Sequence, residues 1–307
     1  MRVSAQQSYT SMTNSFTQLS GDLEKVITQM ATGQRVILPS DDPIAATRIT
    51  QLNRQQSAIS QYQSNITTVS TGMSQQEGIL DGVNNELLAI RDDLLQAANG
   101  TSTAESLASY GQEIESLTHT MVAAINYQDE DGHYIFGGTI NDQPPLTYDD
   151  TDGDGEGDEY VYHGNMAHRT ATVSNGVVMD TNVSAGEIFG QDLELFNTLD
   201  DLAKELQDPD VDLDDAQADI TRAIDVVDEA STSLNSAIAS LGERQNTLTM
   251  LSSAQTDISD SNDEMIGQLA DLDYGPATIT FTGLQMAMEA TMKTYSKVSE
   301  LSLFSVI

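Results

Sequence analysis

Apolar side chains recur at alternating intervals of four and three residues near the amino end of the chain, and this spacing constrains the fold more than any other feature. The series comprises Ala5, Tyr9, Met12, Phe16, Leu19, Leu23, Val26 and Met30. A repeat of about 3.5 residues places every member on one narrow stripe of an α-helix. Because such a stripe is too narrow to face a broad core, we predict that it packs against one or two partner helices, in the same chain or in neighbouring copies.

The carboxyl end carries a second series with the same spacing, so the two ends of the chain mirror each other. Its members are Ala277, Phe281, Leu284, Met288, Thr291, Tyr295 and Val298. We predict that the two terminal helices form a coiled coil and that their apolar stripes drive assembly. The predicted assembly residues, here named the terminal seam, are Tyr9, Met12, Phe16, Leu19, Leu23, Val26, Met30, Phe281, Leu284, Met288, Tyr295 and Val298.

Between these ends the sequence predicts long helices with definite boundaries. Gly33 suits the left-handed residue that ends a helix. Asp42 followed by Pro43 suits an N-cap and a first helical position. From Pro43 an apolar series at intervals of three, four or seven residues continues to Ala97, which predicts one helix of about 55 residues.

Further helices follow in both halves of the chain. A capping box of Ser102 and Glu105 predicts the start of a helix that folds back antiparallel on its predecessor. Helical periodicity returns over residues 193–206 and about 213–272, and a break at Gly275-Pro276 precedes the terminal series. The fold class is therefore predicted to be mainly α, with long antiparallel helical rods.

Residues 130–190 have a different character and predict a small β-rich insert. Short runs of strand composition occur at 134–136, 160–162, 170–174 and 177–179, and Asn175-Gly176 is a tight-hairpin signal between the last two. We therefore expect three parts. They are a terminal coiled-coil domain (1–42 and 273–307), a helical rod domain (43–129 and 191–272) and an outer β-rich insert domain (130–190).

Composition excludes several functions. The chain has 48 acidic and 12 basic residues, for a formal net charge of -36, so it would repel nucleic acid and is disfavoured at anionic membrane surfaces. It has no Cys, which excludes disulfides and thiolate sites. Leu, Ile, Val and Phe make up only about 22 % of the residues, which favours narrow helical seams over one large core.

An acidic loop resembles the first half of a calcium-binding loop. Asp150, Asp152 and Asp154 alternate before Gly155, as in a loop that wraps a hard cation. The twelfth position should be a bidentate Glu but is Val161. Three interpretations stay open: a calcium site, a weak and non-specific cation-attracting loop, or a solvated turn. We expect no other cofactor.

Catalytic motifs are absent from the sequence. His163 and His168 are five residues apart without an intervening Glu, so they lack the spacing of a zinc protease. No Ser or Thr lies in a nucleophile-elbow context, and no Gly-rich phosphate loop precedes a helix. We therefore expect a protein that is not an enzyme.

Several motifs together carry a resemblance to a known family. They are Gln29 to Arg35, Pro39 to Ala46, Ala98 to Thr101, Asp131 to Gly138, Leu241 to Asn246 and Leu301 to Phe304. In this order they resemble the hook–filament junction members of the flagellar hook-associated proteins, a flagellin-like family, over essentially the whole chain. The acidic loop and the small number of Lys residues depart from many members.

The resemblance implies a structural part of the bacterial flagellum, located outside the cell. It implies export through the flagellar type III channel without a cleaved signal peptide. The expected partners are copies of the chain in an 11-fold ring, hook-associated protein 1, flagellin, and a cytoplasmic chaperone that holds the C-terminal helix. A flagellin filament subunit and a calcium-dependent adhesive or binding module stay open as alternatives, and the acidity could instead reflect a saline habitat.

Overall fold

The computed structural model describes residues 2–99, 103–149 and 158–304 of the chain, with the backbone alone at 2–6, 8, 213–215 and 298–304. The described residues confirm a mainly α fold with a small β insert. The helices are α1 (Arg2–Thr32), α2 (Pro43–Ala97), α3 (Ala104–Ile125), α4 (Ala185–Phe189), α5 (Glu194–Gln207), α6 (Leu213–Ala270) and α7 (Tyr274–Phe304). The strands are β1 (Leu146–Asp149), β2 (Glu159–Tyr162), β3 (Thr170–Ser174) and β4 (Val177–Asp180).

The chain divides into two compact units. Unit 1 comprises residues 1–59 and 256–307, and unit 2 comprises residues 60–255. Helices α2 and α6 contribute residues to both units. Among the described residues, no helix is long and apolar enough to cross a bilayer.

Most of the predicted helix boundaries are confirmed. Gly33 follows α1 with φ of 72°, the left-handed conformation that glycine adopts without steric cost. The Asp42 carboxylate accepts the backbone N–H of Ala45 at 3.0 Å, and Pro43 is the first residue of α2, which is 55 residues long.

Two predicted helix starts are corrected. Helix α3 is capped by Thr103 and Ser106, which exchange the two hydrogen bonds of a capping box, instead of by Ser102 and Glu105. Helix α7 begins at Tyr274, so Pro276 lies inside its first turn, where a missing N–H costs nothing. The break between α6 and α7 is at residues 271–273 instead of at Gly275-Pro276.

Unit 2 has a continuous apolar core between α2, α3, α5 and α6. Polar pairs along its rim show that α2 and α6 are antiparallel, since Glu77 contacts Gln245 at 2.8 Å whereas Arg91 contacts Asp228 at 2.6 Å. The largest fully buried apolar side chains of these helices include Leu80, Leu87, Leu94, Ile114, Met121 and Phe196. This core belongs to one chain and needs no second copy.

The insert contains two separate antiparallel hairpins, β1–β2 and β3–β4. The predicted runs at 160–162, 170–174 and 177–179 are strands, whereas β1 was not predicted. The predicted strand at Tyr134 to Phe136 is wrong, because only an isolated bridge from Tyr134 to Gln128 forms there. The Phe136 carbonyl instead accepts the backbone N–H of Ala185 at the start of α4, and its ring is fully buried.

Helices α3 and α5 pack closely at Gly111. A Cβ added there would lie 2.9 Å from the backbone oxygen of Ala203 and 3.1 Å from the Cβ of Leu206. Backbone atoms at that distance cannot rotate out of the way, so the packing requires glycine. Gly78 in α2 has no heavy atom within 4 Å of the corresponding position.

These two glycines give a matched pair of substitutions. Gly78→Ala should stabilise unit 2 by about 0.5 to 1 kcal/mol, because alanine favours an exposed helix position. Gly111→Ala should destabilise it by about 1 to 3 kcal/mol, because the added methyl group overpacks the α3–α5 contact. Urea unfolding followed by circular dichroism measures both, and a stabilising Gly111→Ala would contradict this account of the packing.

Candidate assembly interface

Helices α1 and α7 pack against each other and run antiparallel. The Tyr274 hydroxyl donates to the backbone oxygen of Met30 at 2.8 Å near one end of the pair. The Tyr295 hydroxyl donates to the Tyr9 hydroxyl at 3.1 Å near the other end, where the ring centroids are 5.7 Å apart. The two ends of the chain therefore meet along the series that the sequence singles out.

A network of polar contacts holds the end of the pair that adjoins the rest of unit 1. The backbone N–H of Leu272 donates to Gly33 at 2.8 Å, and the backbone N–H of Arg35 donates to Ala270 at 2.6 Å. The Arg35 guanidinium donates to the Leu269 carbonyl at 2.8 Å and to the Asp42 carboxylate at 3.1 Å. These bonds join the segment after α1 to the segment before α7.

Asp41 and Asp42 hold the connector between α1 and α2. The Asp41 carboxylate pairs with the Lys25 ammonium at 2.8 Å and accepts the backbone N–H of Leu38 at 2.9 Å. The Lys25 ammonium and the backbone N–H groups of Leu38 and Ile37 hold the pKa of Asp41 below its usual value. The N–H of Ala45 and the guanidinium of Arg35 lower the pKa of Asp42 in the same way.

Burial along the terminal seam is incomplete. Val26 is buried, whereas Tyr9 and Tyr295 are 56 % and 41 % exposed. The other seam side chains that the structure describes are half-buried: Met12, Phe16, Leu19, Leu23, Met30, Phe281, Leu284 and Met288. Val298 lies in α7, and its side chain is outside the described set. One chain therefore leaves much of this apolar surface in contact with water.

An open groove lies between α1 and α7 where the two tyrosines meet. Its volume is about 380 Å³. We name it the terminal groove, and it is lined by Tyr9, Met12, Thr13, Phe16, Thr291, Met292 and Tyr295. None of these side chains carries a charge.

Charge is divided unevenly between the two units. Unit 2 holds 36 acidic and 5 basic residues, whereas unit 1 holds 12 acidic and 7 basic residues. Within unit 1, α1 and α7 together carry 4 acidic and 4 basic residues and are therefore net neutral. The terminal helices can approach each other in copies of the chain without the repulsion that unit 2 imposes.

The β3–β4 hairpin and the segment after it are fastened to the long helices by buried amides, which the sequence did not predict. Gln76 of α2 donates to the Thr181 carbonyl at 3.1 Å and accepts the Val183 N–H at 3.0 Å. Gln255 of α6 donates to the Val173 carbonyl at 2.6 Å. Gln76 therefore bonds residues 181 and 183 much as a neighbouring strand would.

The β1–β2 hairpin is fixed to α5 by a cluster of polar and aromatic groups. The Lys204 ammonium donates to the Tyr148 hydroxyl at 2.7 Å, and that hydroxyl donates to the Asp200 carboxylate at 2.8 Å. The Tyr160 ring lies 4.8 Å from Tyr148 and 6.0 Å from Phe196, centroid to centroid. Burial is the main cause that raises the pKa of Tyr160 to about 12.

The predicted calcium loop joins these two strands. Asp150, Asp152 and Asp154 lie outside the described residues, so their predicted role stays a prediction. Just before the loop, the Asp149 carboxylate contacts the His163 ring at 2.8 Å. The Thr147 hydroxyl and His163 lower the pKa of Asp149.

A different group of possible metal ligands lies after α3. Ligand atoms of Asp129, Asp131 and His133 lie within 4.8 Å of one another. The Asp129 carboxylate already accepts the backbone N–H groups of Asp131 and His133 at 3.0 and 2.9 Å. These bonds account for the arrangement as a polar turn.

Sequence comparison places the chain among flagellar proteins. The model of the bacterial flagellin N-terminal helical region matches residues 3–141. Flagellar hook-associated protein 3 of Escherichia coli K12 is 27 % identical to the chain, over all of this chain and 99 % of the relative. Flagellar hook-associated protein 3 of Salmonella typhimurium LT2 has the same identity and coverage.

Solved structures show the same likeness. A candidate flagellar hook-associated protein from Vibrio parahaemolyticus is 33 % identical, with a TM-score of 0.67, over 75 % of this chain and 100 % of that one. The flagellar junction protein FlgL from Legionella pneumophila has a TM-score of 0.60 at 16 % identity, over 73 % and 100 % of the two chains. The second likeness concerns the fold alone.

The role of Gln76 can be tested by an isosteric substitution. Gln76→Met should destabilise unit 2 by about 2 to 4 kcal/mol, because it leaves the Thr181 carbonyl and the Val183 N–H buried without partners. The control is Gln75→Met, since Gln75 makes a single bond to the exposed Tyr127 hydroxyl. Urea unfolding measures both variants, and equal stabilities would refute the fastening role.

The raised pKa of Tyr160 predicts a loss of stability at high pH. The unfolded chain releases this proton near pH 10, whereas the folded chain holds it to about pH 12. The contribution is therefore fully present below about pH 10 and is lost as pH rises through about 12. The urea midpoint of Tyr160→Phe should fall less over this range than that of the parent chain, and the exposed Tyr127→Phe serves as the control.

Proposed function

Since this chain belongs to the flagellar hook-associated protein 3 family, whose members are structural and non-enzymatic parts of the flagellum, we propose that it is the hook–filament junction protein of its flagellum. In this role it joins the hook-associated ring to the flagellin filament. It polymerises through α1 and α7.

The observation that supports this proposal most is the incomplete burial of the terminal seam. A fully buried Leu, Phe or Met side chain contributes about 1.5 to 3 kcal/mol. In one chain most described seam side chains stay half-buried. Copies of the chain would bury the remaining apolar area, so the free energy of assembly comes from the side chains that the single chain leaves incomplete.

The same proposal extends to the arrangement of the partners. Copies of the chain form an 11-fold ring between hook-associated protein 1 and the first flagellin subunits. The chain leaves the cell through the flagellar export channel, and a cytoplasmic chaperone holds the C-terminal helix beforehand. The chain then has three parts. The coiled coil comprises residues 1–42 and 273–307, the helical rods comprise residues 43–129 and 191–272, and the outer insert comprises residues 130–190. The loop with Asp150, Asp152 and Asp154 attracts calcium weakly.

Antibody labelling of isolated flagella in electron microscopy tests the location. A single short band between hook and filament is the expected result. Label along the whole filament would identify a filament subunit instead. Absence of label from intact flagella that carry other hook-associated proteins would overturn the proposal.

A charge placed in the terminal seam should block assembly. Leu284→Asp places an unpaired carboxylate in the seam, which is half-buried in one chain and would be fully buried in the assembled state. Flagella should then lack the protein, and motility should be lost. The matched control is Gln18→Asp, which is exposed on the side of α1 away from the seam and should assemble normally. The far-ultraviolet circular dichroism and urea midpoint of unit 2 should be unchanged in both variants.

A further inference from the structure

The side of α7 that faces away from the terminal seam carries two exposed apolar side chains in the first half of the helix, before Lys293, which lies on the same side. Ile279 and Met286 lie seven residues apart and opposite the seam positions, since each residue turns a helix by about 100°. Their side chains are 76 % and 62 % exposed. No residue from Tyr274 to Met288 carries a charge. This part of α7 therefore lacks the charged face of a helix that has a single apolar neighbour.

Helix α1 differs from α7 in this respect. Its side away from the seam presents polar residues, among them Gln7, Asn14, Gln18 and Lys25, all exposed. An amphipathic helix of this kind is complete with one apolar neighbour. Of the two terminal helices, α7 is the one with a pair of exposed apolar side chains away from the seam, which a second apolar neighbour would cover.

Met250 serves as a comparison, because it is an exposed methionine whose neighbours on the helix surface are charged. Met250 of α6 is 63 % exposed, which matches Met286 closely. Glu243 and Asp257 lie seven residues before and after Met250, on the same side of the helix. Met250 is therefore an isolated apolar side chain with a charged residue on both sides, whereas Met286 has Ile279 before it and Lys293 after it and so shares an apolar patch with Ile279.

The charge distribution favours a second copy of the chain as the occupant. Unit 2 carries 36 acidic against 5 basic residues, so two copies repel each other there. A basic partner would be attracted to unit 2 and not to an uncharged surface. Helices α1 and α7 are together neutral, and copies can meet there at no electrostatic cost.

The terminal groove is the surface that complements this side of α7. It is apolar, open and free of charged side chains, and it lies in the same two helices. The groove and the Ile279–Met286 surface are different patches of one chain. A contact between different patches repeats from copy to copy and generates a ring or a helical array.

We propose that Ile279 and Met286, on the side of α7 away from the seam, dock into the terminal groove of a second copy of this chain. This inference rests on the proposed function and specifies the two surfaces by which copies meet. The terminal seam holds α1 and α7 together within one copy. The outward side of α7 then joins that copy to the next.

Sedimentation velocity of the full-length chain tests the docking surface. Salt of about 0.5 M shortens the screening length to roughly 4 Å and suppresses repulsion between unit 2 of different copies. The double variant Ile279→Ser/Met286→Ser should associate roughly tenfold to a hundredfold more weakly than the parent chain. Met250→Ser should associate as the parent does. Equal association of the double variant and the parent would overturn the proposal.

Cross-linking identifies the surface on the second copy, and the chain offers a clean background because it has no Cys. Thr13→Cys places a thiol in the groove, and Met286→Cys places one on the outward side of α7. Mixing the two variants under oxidation should give a disulfide-linked heterodimer, since the bond forms only when the Cβ atoms come within about 4.5 Å. Homodimers of Met286→Cys alone, or equal yield from Met250→Cys mixed with Thr13→Cys, would refute docking into the groove.

Incorporation into flagella separates this inference from the proposed function. The docking inference and the proposed junction role both require that Leu284→Asp fails to assemble. If Ile279→Ser/Met286→Ser is incorporated and motile whereas Leu284→Asp is not, the inference fails and the junction role stands. If both variants are incorporated and motile, assembly through the terminal helices fails as well.

Discussion

The structure depends on apolar stripes at the two ends of the chain that one copy cannot bury. Among the side chains that the structure describes in unit 1, those that are buried comprise Val26, Ala45, Leu52, Ile59, Asn262, Ala270 and Ala277. Unit 2 contains a continuous core within a single copy. Stability of a small helical pair depends on the apolar area it removes from water. The proposed assembly would complete the packing of the terminal helices, whereas unit 2 already has its core within one copy.

Charge reinforces this division of roles. A chain with a net charge of -36 would resist association if its acidic residues were spread evenly. The acidic residues are concentrated in unit 2, and α1 and α7 together are net neutral. Repulsion between copies would therefore disfavour contacts through unit 2 without weakening contacts through the terminal helices. In the proposed assembly, electrostatics would contribute specificity by disfavouring competing modes of association, and apolar burial would contribute the affinity.

The features that the sequence predicted are those that depend on local spacing. The stripes that place Tyr9 near Tyr295, and the cap at Asp42, follow from residues within a few turns of each other. The start of α3 was misplaced because Ser102 and Glu105 match the sequence pattern of a capping box, whereas the observed box, one residue later, has Ser106 in place of the usual Glu or Gln. The run at Tyr134 to Phe136 has strand composition, but burial against α4 determines its conformation. Gln76 bonds residues more than 100 positions away, and no local pattern reports such a contact.

Much of the attachment of the β3–β4 hairpin to α2 and α6 uses backbone groups of the insert. Gln76, Gln255 and Arg244 bond backbone atoms of residues 173 to 183, and the insert side chains contribute little to these contacts. Backbone groups are the same whatever the side chain, so the hairpins can change sequence without losing their attachment to α2 and α6. The β1–β2 hairpin is attached differently, through the side chains of Tyr148 and Tyr160, so those two positions depend on their side chains.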